Sequence, residues 1–592
     1  VSELVETPLR SEITETASGY AEPVSGIAET ASEAAKPAPW DAPTTPRSPR
    51  WVDQLTNAAP LSARQAFWMS FVALFLIAGV WAIANPLMAS VDEPAHTIMA
   101  AATVLQAPNI ATEYEVTGLG PYATTGVGIV EIPSLFRQMQ DFPYCFARIP
   151  TQPASCQPSL WGDLTEITPV STSAIDYNPL YYFVVGLPAL FPSGGYFTIY
   201  LMRLVNAAFG AVVIAMAVRT VAELTRRRWL GVAIIIALTP TAINLLGSIN
   251  PQSIEVAGTI LLWVTLLALF TEPRPDLLWR RVIRVIVGAL LISNARGLGP
   301  MFTFMIVVLV IALIPWSRVR YAFTDTRTWW AVAGGVFVTA LGTFWIFFAG
   351  SLPQGTGSGI GWGEALRVTF DSIGWFLYMQ IGVFGWLDVA PPQWFYLLGG
   401  ALIAVLLVLA FAAGRRRERL VLGLVAAIMI FMPMAIESYQ ARIIGYFWQG
   451  RYIFPISLGL ILLAGWVLDR YAAGVPTWLQ NNAVVVLASS FAFLNVVGFI
   501  WNLQRYVNGI QGSWLRLGPE SWSPPINPFL VTLLYIIAWG LFTTAVIRAT
   551  ADQTEDLVER PEEPELRPYF APLELAPVQP TPAEPSPVWE TG

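Results

Sequence analysis

Apolar residues in this chain do not alternate with polar ones. They run in long blocks, separated by short polar stretches that hold most of the arginine. A helix needs about 20 apolar residues to cross a bilayer, so the blocks predict membrane spans. By that criterion the spans fall at 67–88, 198–222, 229–247, 252–270, 281–295, 298–315, 328–350, 393–413, 420–436, 452–469, 482–502 and 527–547. About twelve crossings follow on the hydropathy criterion, and with them an all-α integral membrane fold. One further apolar stretch, from Asn178 to Phe191, is too short to cross and ends in PSGG. An interfacial or re-entrant helix suits it better than a span.

Arginine supplies the orientation. Basic residues collect in cytoplasmic loops, and here they cluster as Arg226–Arg227–Arg228, as Arg274 with Arg280, Arg281 and Arg284, as Arg318 with Arg320, and as Arg415–Arg416–Arg417. All four clusters share one face only if the Asn178–Phe191 stretch does not cross. Both termini are then cytoplasmic. Residues 1–66 form an N-terminal tail, 67–547 the membrane domain, and 548–592 an acidic, proline-rich C-terminal tail. The first extracytoplasmic loop, 89–197, is the longest.

Composition agrees with this frame. The chain is 55% hydrophobic and 12% charged with 24 Trp, where a soluble domain carries about 25% charged residues. The net charge of −7 reflects tails rich in Pro, Glu, Ala, Ser and Thr, which lack the apolar surface to offset chain entropy and are expected to be disordered. The first apolar run starts near residue 67 and is long enough to span, so no cleavable signal peptide is expected. Cys145 and Cys156 lie in the first outer loop, and in an oxidising compartment they would pair as a disulfide. The basic clusters are short and explained by topology, so nothing points to nucleic acid.

The polar motifs all fall on the outer face: DEPAH (92–96), YNPLYY (177–182), GSINPQS (247–253), SNARGLGP (293–300), GVFGWLD (382–388) and WQGRY (448–452). In DEPAH, Pro94 fits the first turn of a helix, so Asp92 reads as an N-cap and His96 shares a helical face with the acids. Residues 94–107 then form an amphipathic helix along the interface. A carboxylate here could instead deprotonate a hydroxyl, with its neighbours raising its pKa or holding a divalent cation. Arg203 lies inside an apolar segment, where arginine marks an ion pair or an anionic ligand. Its internal partners would be Glu255, Asp388 or Glu437. Arg296 and Arg451 stand beside glycines that let a ligand approach the backbone, and a guanidinium fork matches phosphate oxygens. YNPLYY and Trp362, Trp375, Trp386 and Trp448 read mostly as an aromatic belt at headgroup level, with a few available to stack on a sugar or line a lipid groove.

The order of these motifs resembles an uncharacterised family of bacterial multi-pass membrane proteins, itself similar to the GT-C superfamily of integral-membrane glycosyltransferases. The resemblance covers roughly residues 67 to 547, with DEPAH and QGRY its most specific pieces. It implies a GT-C-like fold with interfacial helices in the first outer loop, in a bacterial inner membrane. It also implies a sugar carried on a polyprenyl phosphate, moved with inversion to an envelope glycan, lipid or protein. Carried onto this sequence, it implies Asp92 as catalytic base and Glu93 as its partner. Arg296 and Arg451 become candidates for the carrier phosphate. His96, Tyr181, Tyr182, Arg203, Asn250, Asp388, Gln449 and Tyr452 complete the expected substrate and carrier contacts. Two departures stand out. NPQS lacks an acid beside its Asn-Pro, and one proline of a Pro-Pro-Leu box is replaced, giving Asn178–Pro179. A lipid or glycan transporter and a non-catalytic membrane scaffold remain alternatives. A transporter would favour broken helices at mid-depth and an internal repeat, and no repeat is evident.

Overall fold

A computed structural model describes residues 48–56, 58–116, 124–351, 357–471, 474–513, 518 and 521–551. The expected tails, 1–66 and 548–592, fall mostly outside the described residues. Within the first of them, however, Arg50–Thr56 is helical and packs on two late helices.

Among the described residues, nine helices are long and apolar enough to cross a membrane: Ala63–Ala84, Tyr196–Ala222, Gln252–Thr271, Thr326–Phe348, Gln393–Ala413, Arg416–Ile444, Gly450–Tyr471, Thr477–Asn508 and Pro528–Ala549. Two bent pairs bring the number to 11: Arg228–Ala237 with Pro240–Leu246, bent by 69°, and Gly299–Leu313 with Trp316–Ala322, bent by 116°. Pro240 and Pro315 stand at the breaks, where a residue without an N–H cannot continue the ladder. The protein is an integral multi-pass membrane protein. The twelfth expected span, 281–295, corresponds to Leu278–Ala295, whose first two turns carry Arg280, Arg281 and Arg284. Its three charges set it apart from those eleven by composition, not by length. Arg281 and Arg284 turn inward, donating to the Ala268 carbonyl at 2.7 Å and pairing with Glu223 at 2.6 Å.

Gln252–Thr271 and Gly450–Tyr471 are almost wholly buried and form the centre of the bundle. Thr326–Phe348 and Arg416–Ile444 expose most of their surface, including Phe344, Phe347, Phe348 and Phe431. Apolar side chains facing outward suit hydrocarbon, not water. Small residues allow close helix contacts: a side chain at Gly258 would meet the Gly288 carbonyl at 3.2 Å and Leu291 at 2.9 Å.

The basic clusters gather at one end of the bundle. Arg226 donates to the Arg470 carbonyl, Arg318 to that of Thr271 at 2.8 Å, and Arg417 to that of Ala312 at 2.7 Å. Asp469 accepts from the backbone of Trp229 and Leu230 at the same end. The other end is built on the insertion between the first two long helices. Its order is a helix, Glu93–Leu105; strands β1 (Asn109–Val116) and β2 (Thr124–Pro133); a short helix, Ser134–Gln140; strand β3 (Ile167–Thr172); and a helix, Pro179–Val185. The strands form an antiparallel sheet in the order β1-β2-β3, with Gly128 opposite Thr172 and Val130 opposite Val170. Cys145 and Cys156 are joined as a disulfide. Closing a loop of this size restricts the unfolded chain, an effect of roughly 3 kcal/mol.

Two expectations for this loop are corrected. The sheet was not foreseen. Its inward positions, Val130, Ile132 and Val170, alternate with outward Ile129, Glu131 and Pro169 over too few residues to stand out. The helix after DEPAH is not a surface helix either. Ile98 to Ala102 are buried, and Thr172 on β3 donates to the Ala95 carbonyl at 2.8 Å. The three alanines, 100–102, let neighbours close over it. The Pro179–Val185 helix has 7 residues, about 10 Å of rise, too little to cross. It presents Phe183, and beyond it Leu187, Leu190 and Phe191, to the outside, as an interfacial segment would.

Candidate functional site

The first long helix ends at Ala84, and the chain turns through Met88 (φ 62°) and Asp92 (φ 67°) before the next helix begins. Asp92 occupies the N-cap position but its side chain caps nothing. That corrects the capping expectation, and it leaves the carboxylate directed elsewhere. Glu93 and Arg203 explain how the turn is held. Arg203 Nε and Nη2 donate to Glu93 Oε1 and Oε2, each at 2.7 Å, and both side chains are fully buried. Its remaining N–H groups reach the carbonyls of Ala82 and Asn85 at 2.9 Å and of Pro86 at 2.8 Å. Those carbonyls lie at a helix C-terminus, where acceptors lack intrahelical partners and favour a cation. Glu93 also accepts from the Ile249 backbone at 3.1 Å, tying in the GSINPQS turn. All five donors of Arg203 are engaged, so it has none left for a phosphate, and its carboxylate partner is Glu93 rather than Glu255, Asp388 or Glu437. Both oxygens of Glu93 accept from Arg203, which ties it into the turn. Among the described residues no three His, Cys, Asp or Glu side chains converge to hold a metal.

Other expected ligands also serve the scaffold. Asp388 pairs with the buried Arg505 at 2.8 Å and accepts from the Trp386 backbone at 2.9 Å. The loop it steadies reaches the DEPAH turn, through Val91 N–H to the Gly385 carbonyl and Trp386 Nε1 to the Met88 carbonyl. Asn250 is buried and accepts from the Gln252 backbone at 3.0 Å. Tyr181 is buried too and donates to Asn206 at 3.0 Å. Of the four expected belt tryptophans, Trp362 and Trp375 are exposed, whereas Trp448 is buried against Tyr452.

What the structure does bring together is a cluster of Asp92, His96, Tyr177, Tyr182, Arg296, Gln449, Arg451 and Tyr452. The QGRY segment enters it through a narrow gap: a side chain at Gly450 would sit 1.9 Å from the Phe376 carbonyl, so only glycine passes. Glu437 holds the approach, accepting from Phe447 N–H at 2.9 Å and Trp448 N–H at 3.1 Å. Arg451 then donates through Nε to Gln449 at 2.7 Å and through Nη2 to Asp92 at 2.7 Å. The Arg451 side chain is 5% exposed and that of Asp92 is 44% exposed. Arg296 lies 3.9 Å over the Tyr452 ring and, among the described residues, makes no ion pair. His96 Nδ1 is 2.8 Å from the Tyr182 hydroxyl, with Tyr177 edge-on to its ring.

The electrostatics separate the roles. Partial withdrawal from water pulls the Asp92 carboxyl up, but the charges of Arg451 and Arg296 outweigh it and hold the group below the usual carboxylate range. Burial drives His96 down to about 3 against the attraction of Asp92, and the charges of Arg296 and Arg451 add to the fall. The imidazole is therefore neutral, a hydrogen-bonding group rather than a phosphate-binding cation. Burial raises Tyr182, which stays a phenol. The cluster thus offers one water-accessible carboxylate and two guanidiniums, one of them without a carboxylate partner. It can accept a proton beside a bound anion.

Glu255 and Gln252 were missed as neighbours of this cluster. Gln252 donates to the Arg451 carbonyl at 3.2 Å and to Glu255 at 3.4 Å. Their signal was modest: two polar residues three apart, opening a long apolar helix directly after Asn-Pro. Tyr177 was the unassigned first residue of YNPLYY.

The family model described as "Predicted membrane protein (DUF2142)" matches residues 74–460. No curated protein matches the chain. Among solved structures, the crystal structure of ArnT from Cupriavidus metallidurans in the apo state is similar at 15% identity with a TM-score of 0.36, covering 83% of this chain and 78% of that one. The crystal structure of the same protein bound to undecaprenyl phosphate gives 15% identity and a TM-score of 0.36, covering 82% and 77%.

Proposed function

The chain belongs to the DUF2142 family of predicted membrane proteins, and from that premise we propose that it is a membrane glycosyltransferase acting at the outer face of the bilayer. It takes a sugar from a polyprenyl-phosphate carrier and passes it to an envelope acceptor. One observation carries this reading: Asp92, 44% exposed, stands beside two guanidiniums just past the end of a membrane helix. A carrier confined to the bilayer needs its chemistry brought to that boundary.

The step balances with these groups. Asp92 takes the proton of the acceptor hydroxyl as its oxygen bonds to the anomeric carbon. The bond from that carbon to the phosphate oxygen breaks on the opposite face, giving inversion. The electron pair leaves with the phosphate, a stable anion that needs no general acid. Arg296 and Arg451 would stabilise the charge that develops there, which is usually the largest electrostatic contribution to such a step. His96 and Tyr182 line the site as neutral hydrogen-bonding groups, and Glu93 with Arg203 keeps Asp92 in place.

The test compares wild type with Asp92→Asn in membranes supplied with radiolabelled polyprenyl-phosphate sugars and envelope glycan. Asn adopts positive φ more readily than most residues, so the turn should survive, as gel filtration in detergent would verify. Transfer should fall by about 10²-fold or more. Equal transfer by both proteins would remove Asp92 from the chemistry. Carrier-linked sugar crossing the bilayer without transfer would favour a transporter.

A further inference from the structure

The group that should accept a proton is held in a 2.7 Å ion pair. A carboxylate facing a guanidinium is a weakened base, and Arg451 is also a guanidinium that an incoming phosphate needs. It cannot serve both equally. Its Nε is committed to Gln449 at 2.7 Å, its Nη2 to Asp92, and its side chain is nearly buried. A phosphate gripped by Nη1 and Nη2 together, the fork that suits its oxygens, competes with Asp92 for Nη2. Asp92 is also the less enclosed partner. It caps no helix N–H, its side chain is 44% exposed, and Arg451 is its one ion-pair partner among the described residues.

We propose that Asp92 and the carrier phosphate compete for Arg451, so that carrier binding expels Asp92 from the ion pair and thereby makes it a base. This rests on the carrier reading above. Arg296, without a carboxylate partner and stacked on Tyr452, gives the phosphate its first contact. Transfer of the phosphate to Arg451 then releases Asp92. Once freed, the carboxylate faces a phosphate anion instead of a cation, and like charge raises its proton affinity. Carrier must therefore bind before the acceptor is deprotonated. After transfer the spent carrier phosphate keeps Arg451 while Asp92 is protonated. Loss of that proton to water restores the competitor and helps eject the product.

Binding measures this without turnover. Purified full-length protein in detergent is titrated with undecaprenyl phosphate by calorimetry. If Asp92 competes, Asp92→Asn binds about tenfold tighter than wild type, and Asp92→Gly, which also relieves the positive φ, does the same. Arg451→Ala binds more weakly. If Asp92 instead steadies Arg451 for the phosphate, both Asp92 variants bind equally or more weakly while Arg451→Ala still loses affinity; the competition is then wrong and the carrier reading stands. Arg451→Ala binding as wild type does, or no binding by any of the proteins, would overturn both.

Discussion

His96 is the chain's single histidine, and it is kept neutral inside a cluster that carries two arginines. Its pKa in the folded protein, about 3, lies below the ordinary 6.5, so the unfolded chain binds its proton first. Stability from this site is complete above pH 6.5 and is lost progressively as pH falls toward 3. Between pH 7 and 5 the melting temperature of wild type should therefore fall more steeply than that of His96→Gln. Parallel curves would mean that the imidazole takes up its proton as readily in the folded as in the unfolded chain. The same neutrality limits what His96 can do. It orients by hydrogen bonding with Tyr182, and in the proposed transfer the proton-accepting role falls to Asp92. Sequence alone showed the histidine beside two acids, which suggests a charged cluster. Burial reverses the inference, helped by Arg296 and Arg451 from about 200 and 355 positions along the chain.

Between elements, the Glu93–Arg203 pair clamps the C-terminal end of the first long helix to the second. One guanidinium satisfies three carbonyls of the turn and both oxygens of the acid. Removing one charge leaves the other buried and uncompensated, at a cost of about 3–5 kcal/mol. Glu93→Gln should lower the melting temperature sharply, and Arg203→Met should do likewise. If Glu93→Gln loses transfer while keeping wild-type stability, Glu93 is a reacting group after all and the clamp is secondary. Sequence reading identified both residues as unusual. It assigned them to chemistry because an acid beside Asp92 and an arginine in a span each look functional alone. Once paired at 0% exposure, they are scaffold. Asp388 with Arg505 repeats the lesson on the loop that packs over DEPAH.

The whole molecule has two unlike ends. One collects the arginine clusters through helix-end carbonyls; the other holds the disulfide, the sheet and the Asp92 cluster. If the arginine-rich end is cytoplasmic, a cysteine placed at exposed Tyr144 in a chain with Cys145 and Cys156 changed to serine should react with an impermeant maleimide in intact cells. A cysteine at Arg226 should react only after the membrane is opened. The reverse pattern would place the cluster inside and refute an extracytoplasmic transfer. The disposition of helices was largely legible from apolar run length, since each span is a local property of about 20 residues. The bends at Pro240 and Pro315 were also written locally, in proline, as was the weaker apolar signal of Leu278–Ala295, in arginine.

Sequence by itself determined that the chain is a multi-pass membrane protein, roughly where it crosses, and that six polar motifs interrupt the apolar runs. These depend on composition within a window, and no distant contact is needed to read them. Only the tertiary structure decided which charge meets which. Six expected site residues gathered at Asp92, while Glu93, Arg203, Asn250, Tyr181 and Asp388 turned to neighbours that steady the backbone. An ion pair is set by the approach of helices far apart in sequence. Until that approach is known, an arginine awaiting phosphate and an arginine holding a turn look the same.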